Sequence, residues 1–511
     1  MSENEPKVTE TSFSRVDQCF ALVMLIVGFL FWNLIRFFDS GAGVTIFAVI
    51  AFVLTFAYLA KLGFKQNIVG ITCLVLAALS AAQFTLFDNQ FIKTLNFAFI
   101  TGIYIYWISI TTGRSIDVKL TAYLLGDLVN QVIIVPFKNF LCCSIGIKGI
   151  VRFKNIKGPM QAILGIVVFL PLIVVVIYLL MSADEAFYDF LYNFVKLINF
   201  ENIVVYISQF IIGIPVAFYL YGLVYGNAKG RNTQAITADS VDKSLKIARI
   251  VPRITVHSVL VVFSTIYIIF FAVQAVYLFS AFSGSIPNSL TYANYARRGF
   301  FELCYVVGIN LGLLVFSHLT FKREKDEESK LLRIETLLIS LLTILLIITA
   351  LSKMVMYINV YGLTQLRVYT SWFMLLLLLI FVSISIRQLK KYNATRIAII
   401  GFIALFMTLS YCNIDGIIAQ YNISRYKDGT LKNLDIVLLA ELSDAAVPYI
   451  YELYMETDHN DIDMRKRLAK AMQRYYFYED HSFKTFNIQK EKADILRIIV
   501  STASLQVVEP Y

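Results

Sequence analysis

Eleven stretches of about twenty mostly apolar residues follow one another between residues 17 and 413, and that spacing leaves little choice of fold. A helix rising ~1.5 Å per residue needs about twenty such residues to cross ~30 Å of hydrocarbon, and it satisfies its own backbone hydrogen bonds while crossing. The stretches lie near 17–38, 43–61, 68–87, 91–112, 160–181, 201–226, 252–280, 297–319, 331–356, 366–388 and 394–413. Apolar residues make up 58% of the chain, against ~45–50% in soluble domains. The expected fold is all-α, a polytopic transmembrane helix bundle over 17–413 with a leader over 1–16 and a small, mostly helical tail over 414–511. Its first apolar run exceeds the core of a cleavable signal peptide, so it reads as a retained anchor.

Basic residues set the expected orientation. Assigned alternately, the connections on one side of the membrane carry 26 Lys and Arg and those on the other carry 7, with 12 more beyond residue 413. Cytoplasmic loops hold the excess, which puts the N-terminus inside and, after an odd number of spans, the tail outside. The formal charge of +10 has the same source. Its expected partners are the lipid bilayer and anionic lipids at the cytoplasmic basic loops, with no nucleic acid. Six cysteines show no C-x-x-C spacing. A Cys304–Cys412 disulfide is open, but free thiols fit better.

Several chemistries lack their residues. There is no G-x-x-x-x-G-K-[ST], no G-x-S-x-G and no H-E-x-x-H, so an ATP-driven motor or a hydrolase has nothing to stand on, and no cofactor is expected. Asp458 to Asp463 lacks the glycine and the twelfth-position glutamate of a calcium loop, so no metal is expected there. Leu120, Leu124, Leu128, Val132 and Val135 recur at helical spacing before a run of lysines and arginines, which predicts an interfacial helix on acidic lipid. Ser182 to Glu185 has the pattern of a capping box opening a second one. Asp184 and Glu185 are also an acid–base pair on paper, although helix-start carboxylates are ordinarily caps. Pro171 and Pro215 lie within spans, while Gly222-x-x-x-Gly226 and Gly308-x-x-x-Gly312 permit close helix approach.

The residues of most interest gather by topology. Arg297, Arg298 and Glu302 enter the eighth span, Lys353 and Arg367 flank the ninth-to-tenth connection, and Asp415 and Arg425 follow the eleventh span, all on the outer face. Arg298 and Glu302 stand four apart and share a helix face. Tyr357, Tyr361, Tyr369, Trp372 and Tyr421 are interleaved with them. An aromatic belt with snorkelling cations accounts for the pattern structurally. A basic cavity for an anionic headgroup, sugar phosphate or envelope polymer accounts for it functionally, since a guanidinium fork grips two phosphate oxygens.

Tyr295-Ala-Arg-Arg-Gly-Phe-Phe-Glu-Leu303, Tyr361-Gly-Leu-Thr-Gln-Leu-Arg-Val-Tyr369 and Asn413-Ile-Asp-Gly-Ile-Ile-Ala-Gln-Tyr-Asn422 resemble the signature stretches of a bacterial membrane family. That family is the domain-of-unknown-function family numbered 4173, close to the one numbered 4153. The resemblance covers roughly residues 160 to 460 and implies a bacterial plasma-membrane protein of uncharacterised activity. It transfers no catalytic residue.

In the tail, Leu434 to Tyr454 predicts an amphipathic helix interrupted near Pro448, and Asp461 predicts the N-cap of a basic helix. The tail either packs over the outer rim or takes an unknown protein partner. Three readings stand. The first is a transporter, channel or lipid-handling protein with an outward anion-binding cavity. The second is an envelope enzyme, a lipid-linked group transferase, using Glu302, Asp415, Asp184 or Glu185. The third is a membrane scaffold or sensor. The lack of a nucleophile or metal motif tilts the balance away from an enzyme.

Overall fold

The computed structural model describes residues 13–35, 40–116, 120–121, 123–150, 176–177, 179–184, 186–191, 200–282, 300–322, 330–473 and 482–506. Among them no β-strand occurs; a single bridge joins Val251 to Phe321. Eleven helices are long and apolar enough to cross a membrane. Ten fall on the expected stretches: α1 (Arg15–Leu34), α2 (Ala42–Lys61), α3 (Ile68–Leu86), α4 (Gln90–Thr111), α8 (Phe200–Lys229), α10 (Arg253–Phe282), α11 (Phe300–Thr320), α12 (Lys330–Tyr361), α13 (Gln365–Leu389) and α14 (Ala394–Tyr411), with the short α9 (Ala238–Ala248) between α8 and α10. The expected span at 160–181 lies almost wholly outside the described residues.

The eleventh candidate, Leu124–Lys148, covers the predicted interfacial helix. It is a broken rod. Helix α5 (Leu124–Val129) passes through a π-turn at Asn130–Ile134 into α6 (Val135–Lys138), and α7 (Cys142–Ile150) follows a turn. Its polar side faces protein: Asn130 donates to the Thr233 carbonyl at 2.6 Å, and Gln131 accepts from Asn227 at 2.8 Å. Leu125, Leu128, Ile133 and Phe137 are exposed. The contacts lie against the start of α1 and the end of α8, where Cys143 meets Ala21 and Gly226 meets Asn139. Both its ends lie at the leader end of the bundle, Gly126 against Ile236 and Val241 and Gly146 against Phe13 and Ala21, as an interfacial segment requires.

Two apolar cores organise the spans. One joins α1 to α4 with α7 and α8 around Met24, Leu59, Trp107 and Tyr221. The other joins α10 to α13 around Leu260, Val307, Ile347 and Phe381. Between them α14 bridges, its Phe402 and Phe406 rings lying 6.4 and 4.8 Å from Phe99 of α4. Inside the second core, Asn310 binds the Tyr267 hydroxyl and donates to Thr343 at 2.8 Å, a polar cross-link of the kind that helices use where burying apolar surface gives no advantage over lipid.

Helices α1 and α8 cross at Gly28 and Gly213, where a Cβ on Gly28 would sit 2.2 Å from the Gly213 carbonyl oxygen. Of the two glycine pairs read from sequence, Gly222 and Gly226 do admit a neighbour, closing on Pro136 and Asn139; Gly308 and Gly312 face open space. At the leader end of the bundle the buried Asp17 caps its own helix through Ser14, accepts from the Tyr58 hydroxyl at 2.9 Å and pairs with Lys229 at 3.0 Å. His257 and Glu335, 2.6 Å apart, tie α10 to α12 at the same end, near the bridge of Val251 and Phe321.

After α14 the tail runs through α15 (Ile414–Lys427), α16 (Ile436–Glu441), a 3₁₀ turn at Asp444–Ala446, α17 (Val447–Glu456), α18 (Ile462–Gln473) and α19 (Ile488–Gln506). It has a core of its own, including Ile418, Leu439, Ile450, Leu468 and Met472, into which Ile92 and Leu409 reach from the spans. The amphipathic helix expected over 434–454 is interrupted before Pro448 into two helices, and Pro448, which lacks an N–H, sits in the first turn of α17, where none is needed. Asp461 does cap α18, accepting from the Met464 N–H at 3.0 Å. Near residue 184 the cap is Asp184, which accepts from the Ala186 N–H at 2.8 Å, while Ser182 belongs to the preceding helix. Glu185 lies outside the described residues.

Gly28→Leu forces apart a backbone crossing, which should cost about 1–3 kcal/mol as overpacking does. Gly308→Leu meets nothing and should leave the melting temperature of the detergent-purified protein unchanged. Equal melting of the two variants would show that the α1–α8 crossing does not hold the first core together.

Candidate functional site

The site begins where α12 ends. The last four carbonyls of a helix have no partner within it, and at the edge of a membrane water serves them poorly. Here two arginines take them. Arg425, in the last turn of α15, donates from Nη1 to the Ile358 carbonyl at 3.3 Å and from Nη2 to that of Asn359 at 2.7 Å. Arg367, in the first turn of α13, donates from Nη1 to the Tyr361 carbonyl at 3.1 Å and also to that of Gly362. Its guanidinium lies 4.0 Å over the Tyr357 ring.

Gly362 makes the turn possible. Its φ of +76° is a left-handed conformation that costs glycine little, and a Cβ there would strike the Asn422 side chain at 2.3 Å. Asn422 accepts from the Leu363 N–H at 2.7 Å and donates to the Leu363 carbonyl at 2.8 Å, pairing that one residue as a strand would. Thr364 then caps α13. Each residue from Tyr361 to Thr364 thus has a named role in the turn.

Asp415 is the hub of a second layer. It is 1% exposed, lies in the first turn of α15 and accepts from Asn89 Nδ2 at 2.8 Å, Gln365 Nε2 at 2.7 Å and the Ser443 N–H at 3.2 Å. Asn89 also donates to the Tyr369 hydroxyl at 2.7 Å, so the α3–α4 loop, α13, α15 and the 3₁₀ turn of the tail meet at one carboxylate. Asp88 continues the seam, 3.3 Å from the buried Lys93 and accepting from Asn487 at 2.8 Å. Gln489 bridges the Asp88 N–H to the Asn413 side chain, and the N–H groups of Ala42 and Gly43 donate to the carbonyls of Phe486 and Lys484 at 2.9 Å each. Further out, Arg497 pairs with Asp444 and Asp494. Glu456, 2.5 Å from Lys427, lifts that ammonium above the usual lysine range.

The sequence-derived cluster therefore divides. Arg425 is saturated by two carbonyls, the Tyr421 hydroxyl and Thr430, and Asp415 by three neutral donors. Arg367 is different: only Nη1 is engaged, so Nε and Nη2 keep three donors without a partner among the described residues. It lines a cavity of about 210 Å³ with Phe300, Phe301, Met354, Tyr357 and Thr370. Glu302 opens α11 beside that wall, and the half-buried Lys353, next to Met354, feels its charge. Arg297 and Arg298 lie outside the described residues. The residues that sequence reasoning passed over, Asn89, Gln365 and Asn422, are neutral amides. Two of the three lie inside the quoted signature stretches, which was the available signal. Cys304 and Cys412 are both free, Cys304 lying 3.4 Å from the Met374 sulfur.

Asp415→Ala would leave two side-chain amides and a backbone N–H facing an apolar void, a loss of about 2–4 kcal/mol by the cost of orphaned buried donors. Removal of the exposed Asp461 cap should cost only ~1 kcal/mol. Thermal melting with limited proteolysis of the tail separates the two: if Asp415→Ala melts no lower than Asp461→Ala, the hub does not hold the tail in place.

No curated protein and no solved structure matches this chain. A family model described as Domain of unknown function (DUF4153) matches residues 71–453. The match begins in α3, so the third and fourth spans, expected to fall outside the resemblance, lie within it, and the number shown is 4153 rather than 4173. Asn89, Arg367, Asp415 and Arg425 all fall inside the matched range, and this polytopic helical chain belongs to the family described as Domain of unknown function (DUF4153).

Proposed function

We propose that this multi-pass protein resides in the bacterial plasma membrane with its leader end in the cytoplasm, and binds an anionic group at an outward-facing cavity around Arg367. The carrying observation is the divided guanidinium. One nitrogen is anchored to the end of α12, Nε and Nη2 have no partner among the described residues, and the residue borders a cavity of about 210 Å³ walled by Phe300, Phe301, Met354 and Tyr357. An arginine held rigidly with free donors is pre-organised for a phosphate, since little side-chain entropy is left to lose on binding. The aromatic wall suits the glycerol or sugar carrying that phosphate. Lipid headgroups, sugar phosphates and phosphate-bearing polymer ends share this chemistry. The tail, tied to the bundle through Asp88 and Asp415, supports a scaffold role beside binding rather than instead of it. A transferase reading is left with less support, because Asp415 has both oxygens engaged and Asp184 caps a helix.

Glycerol 3-phosphate, a soluble phosphate monoester, is the probe. It should raise the melting temperature of the purified wild type, and Arg367→Gln should weaken its apparent affinity about ten-fold, as expected for one charge-assisted pair. Arg425→Gln should lower the melting temperature without changing that affinity. An unaltered affinity in a well-folded Arg367→Gln protein would overturn the reading. In cells, the Arg367 variant should share the envelope lipid and polymer profile of a deletion.

A further inference from the structure

An apolar hollow larger than the Arg367 cavity lies in the first core. A slot of about 440 Å³ runs between α2, α4, α8 and the broken α5–α7 segment, within the ~300–1,000 Å³ range of ligand sites. Along α2 it extends from Val44 to Phe52, eight residues or ~12 Å at the helical rise. Its floor is small, formed by Ala48 and Ala51, and its walls are largely aromatic.

Three hydroxyls border the slot and each is already occupied. Tyr104 bonds Thr55 at 2.6 Å, Tyr219 donates to the Val132 carbonyl at 2.9 Å, and Thr101 donates to the Phe97 carbonyl at 2.8 Å. Among the described residues no lining side chain has a free proton to donate, and apart from these three hydroxyl oxygens the lining side chains are hydrocarbon. The occupant must therefore be hydrocarbon over the whole depth. The bilayer supplies such chains at high local concentration on the exposed side, where Thr101 and Phe137 stand at the rim.

The two ends differ. Toward the tail end, one turn beyond Phe97, Lys93 is fully buried and engaged by Asp88 and the Ser40 carbonyl. Toward the leader end, Lys138 follows Phe137 of the wall; it is exposed and makes no ion pair or hydrogen bond among the described residues. Among the described residues, a chain lying in the slot thus has an unengaged cation toward the leader end, while the lysine toward the tail end is paired.

We propose that this slot holds an acyl chain of an anionic phospholipid from the leaflet at the leader end, with its phosphate at Lys138. The interfacial α5–α7 segment then acts as a bracket that turns a membrane-facing groove into a lipid site, with Phe137 and Phe140 closing over the chain.

Native mass spectrometry of the full-length protein in mild detergent, titrated with dioleoylphosphatidylglycerol or dioleoylphosphatidylcholine, tests this. An Arg367→Gln background keeps the outward cavity from contributing. One phosphatidylglycerol should remain bound at concentrations where phosphatidylcholine is lost. Ala48→Phe, which fills the floor, should weaken that binding about ten-fold by displacing several methylenes from the slot. Thr101→Trp, at an exposed rim position where folding tolerates bulk, should do the same if Ala48→Phe fails to fold. Lys138→Gln should abolish the preference between headgroups while both lipids still bind. Undiminished phosphatidylglycerol binding by folded Thr101→Trp would overturn the proposal, as would a headgroup preference untouched by Lys138→Gln.

Discussion

The orphaned carbonyls at the end of α12 are the constraint around which this end of the molecule is arranged. A helix of 32 residues that stops at the membrane edge presents a partial negative charge and unpaired acceptors where solvent is scarce. Arg367 and Arg425 answer both needs, each a cation at a helix C-terminus and a donor to its carbonyls. Because the two arginines come from different helices, satisfying α12 also fixes α13 and α15 against it. Asn422 then locks the connecting residue, Leu363, from the middle of α15. The tail is not an appendage; its first helix is part of how the ninth and tenth spans are joined.

Helix α15 is itself electrostatically consistent. Asp415 stands in its first turn and Arg425 in its last, so each charge lies at the end of the dipole that favours it. Burying a carboxylate is costly unless its lone pairs are met, and here neutral donors meet them without a direct cation. That choice has a structural consequence. Amide donors have fixed directions, so Asn89 and Gln365 set the position of the carboxylate more tightly than a mobile lysine would. A point whose geometry is over-determined can serve as a common reference for four separate segments of chain.

Much of this was legible in the amino-acid order, and what was not has a physical reason. Ten spans could be read because a crossing helix needs a long apolar run and little else produces one. The behaviour of residues 124–150 was harder to read: Asn130, Gln131 and Asn139 face protein while leucines face outward, an inversion that periodicity registers as amphipathic without saying which side is buried. Arg367, Arg425 and Asp415 do gather about the α12–α13 connection. Their actual partners are carbonyls and amides, one of them Asn89, 326 residues away from Asp415. Pairings at that separation leave no local pattern. Capping errors were smaller: Asp184 does what Ser182 was expected to do, since either side chain can accept from a helix start and only backbone geometry decides which one does.

Residue type alone would have ranked Arg367 and Arg425 as equals. Geometry separates them: the five donors of a guanidinium can all be consumed by protein, as they are for Arg425, or divided, as they are for Arg367. A saturated arginine gains nothing further from an anion unless a protein contact breaks, so its charge contributes to stability and little to recognition. A divided one gains new bonds at no such cost, and its anchored half has already given up the rotamer freedom that binding would otherwise remove. The same logic applies at the apolar slot, where the lining hydroxyls have already committed their protons and the rest of the wall is hydrocarbon. Counting which donors and acceptors the fold has already used is therefore what turns a cluster of plausible residues into one anchored cation beside a cavity and one hydrocarbon groove beside a lysine.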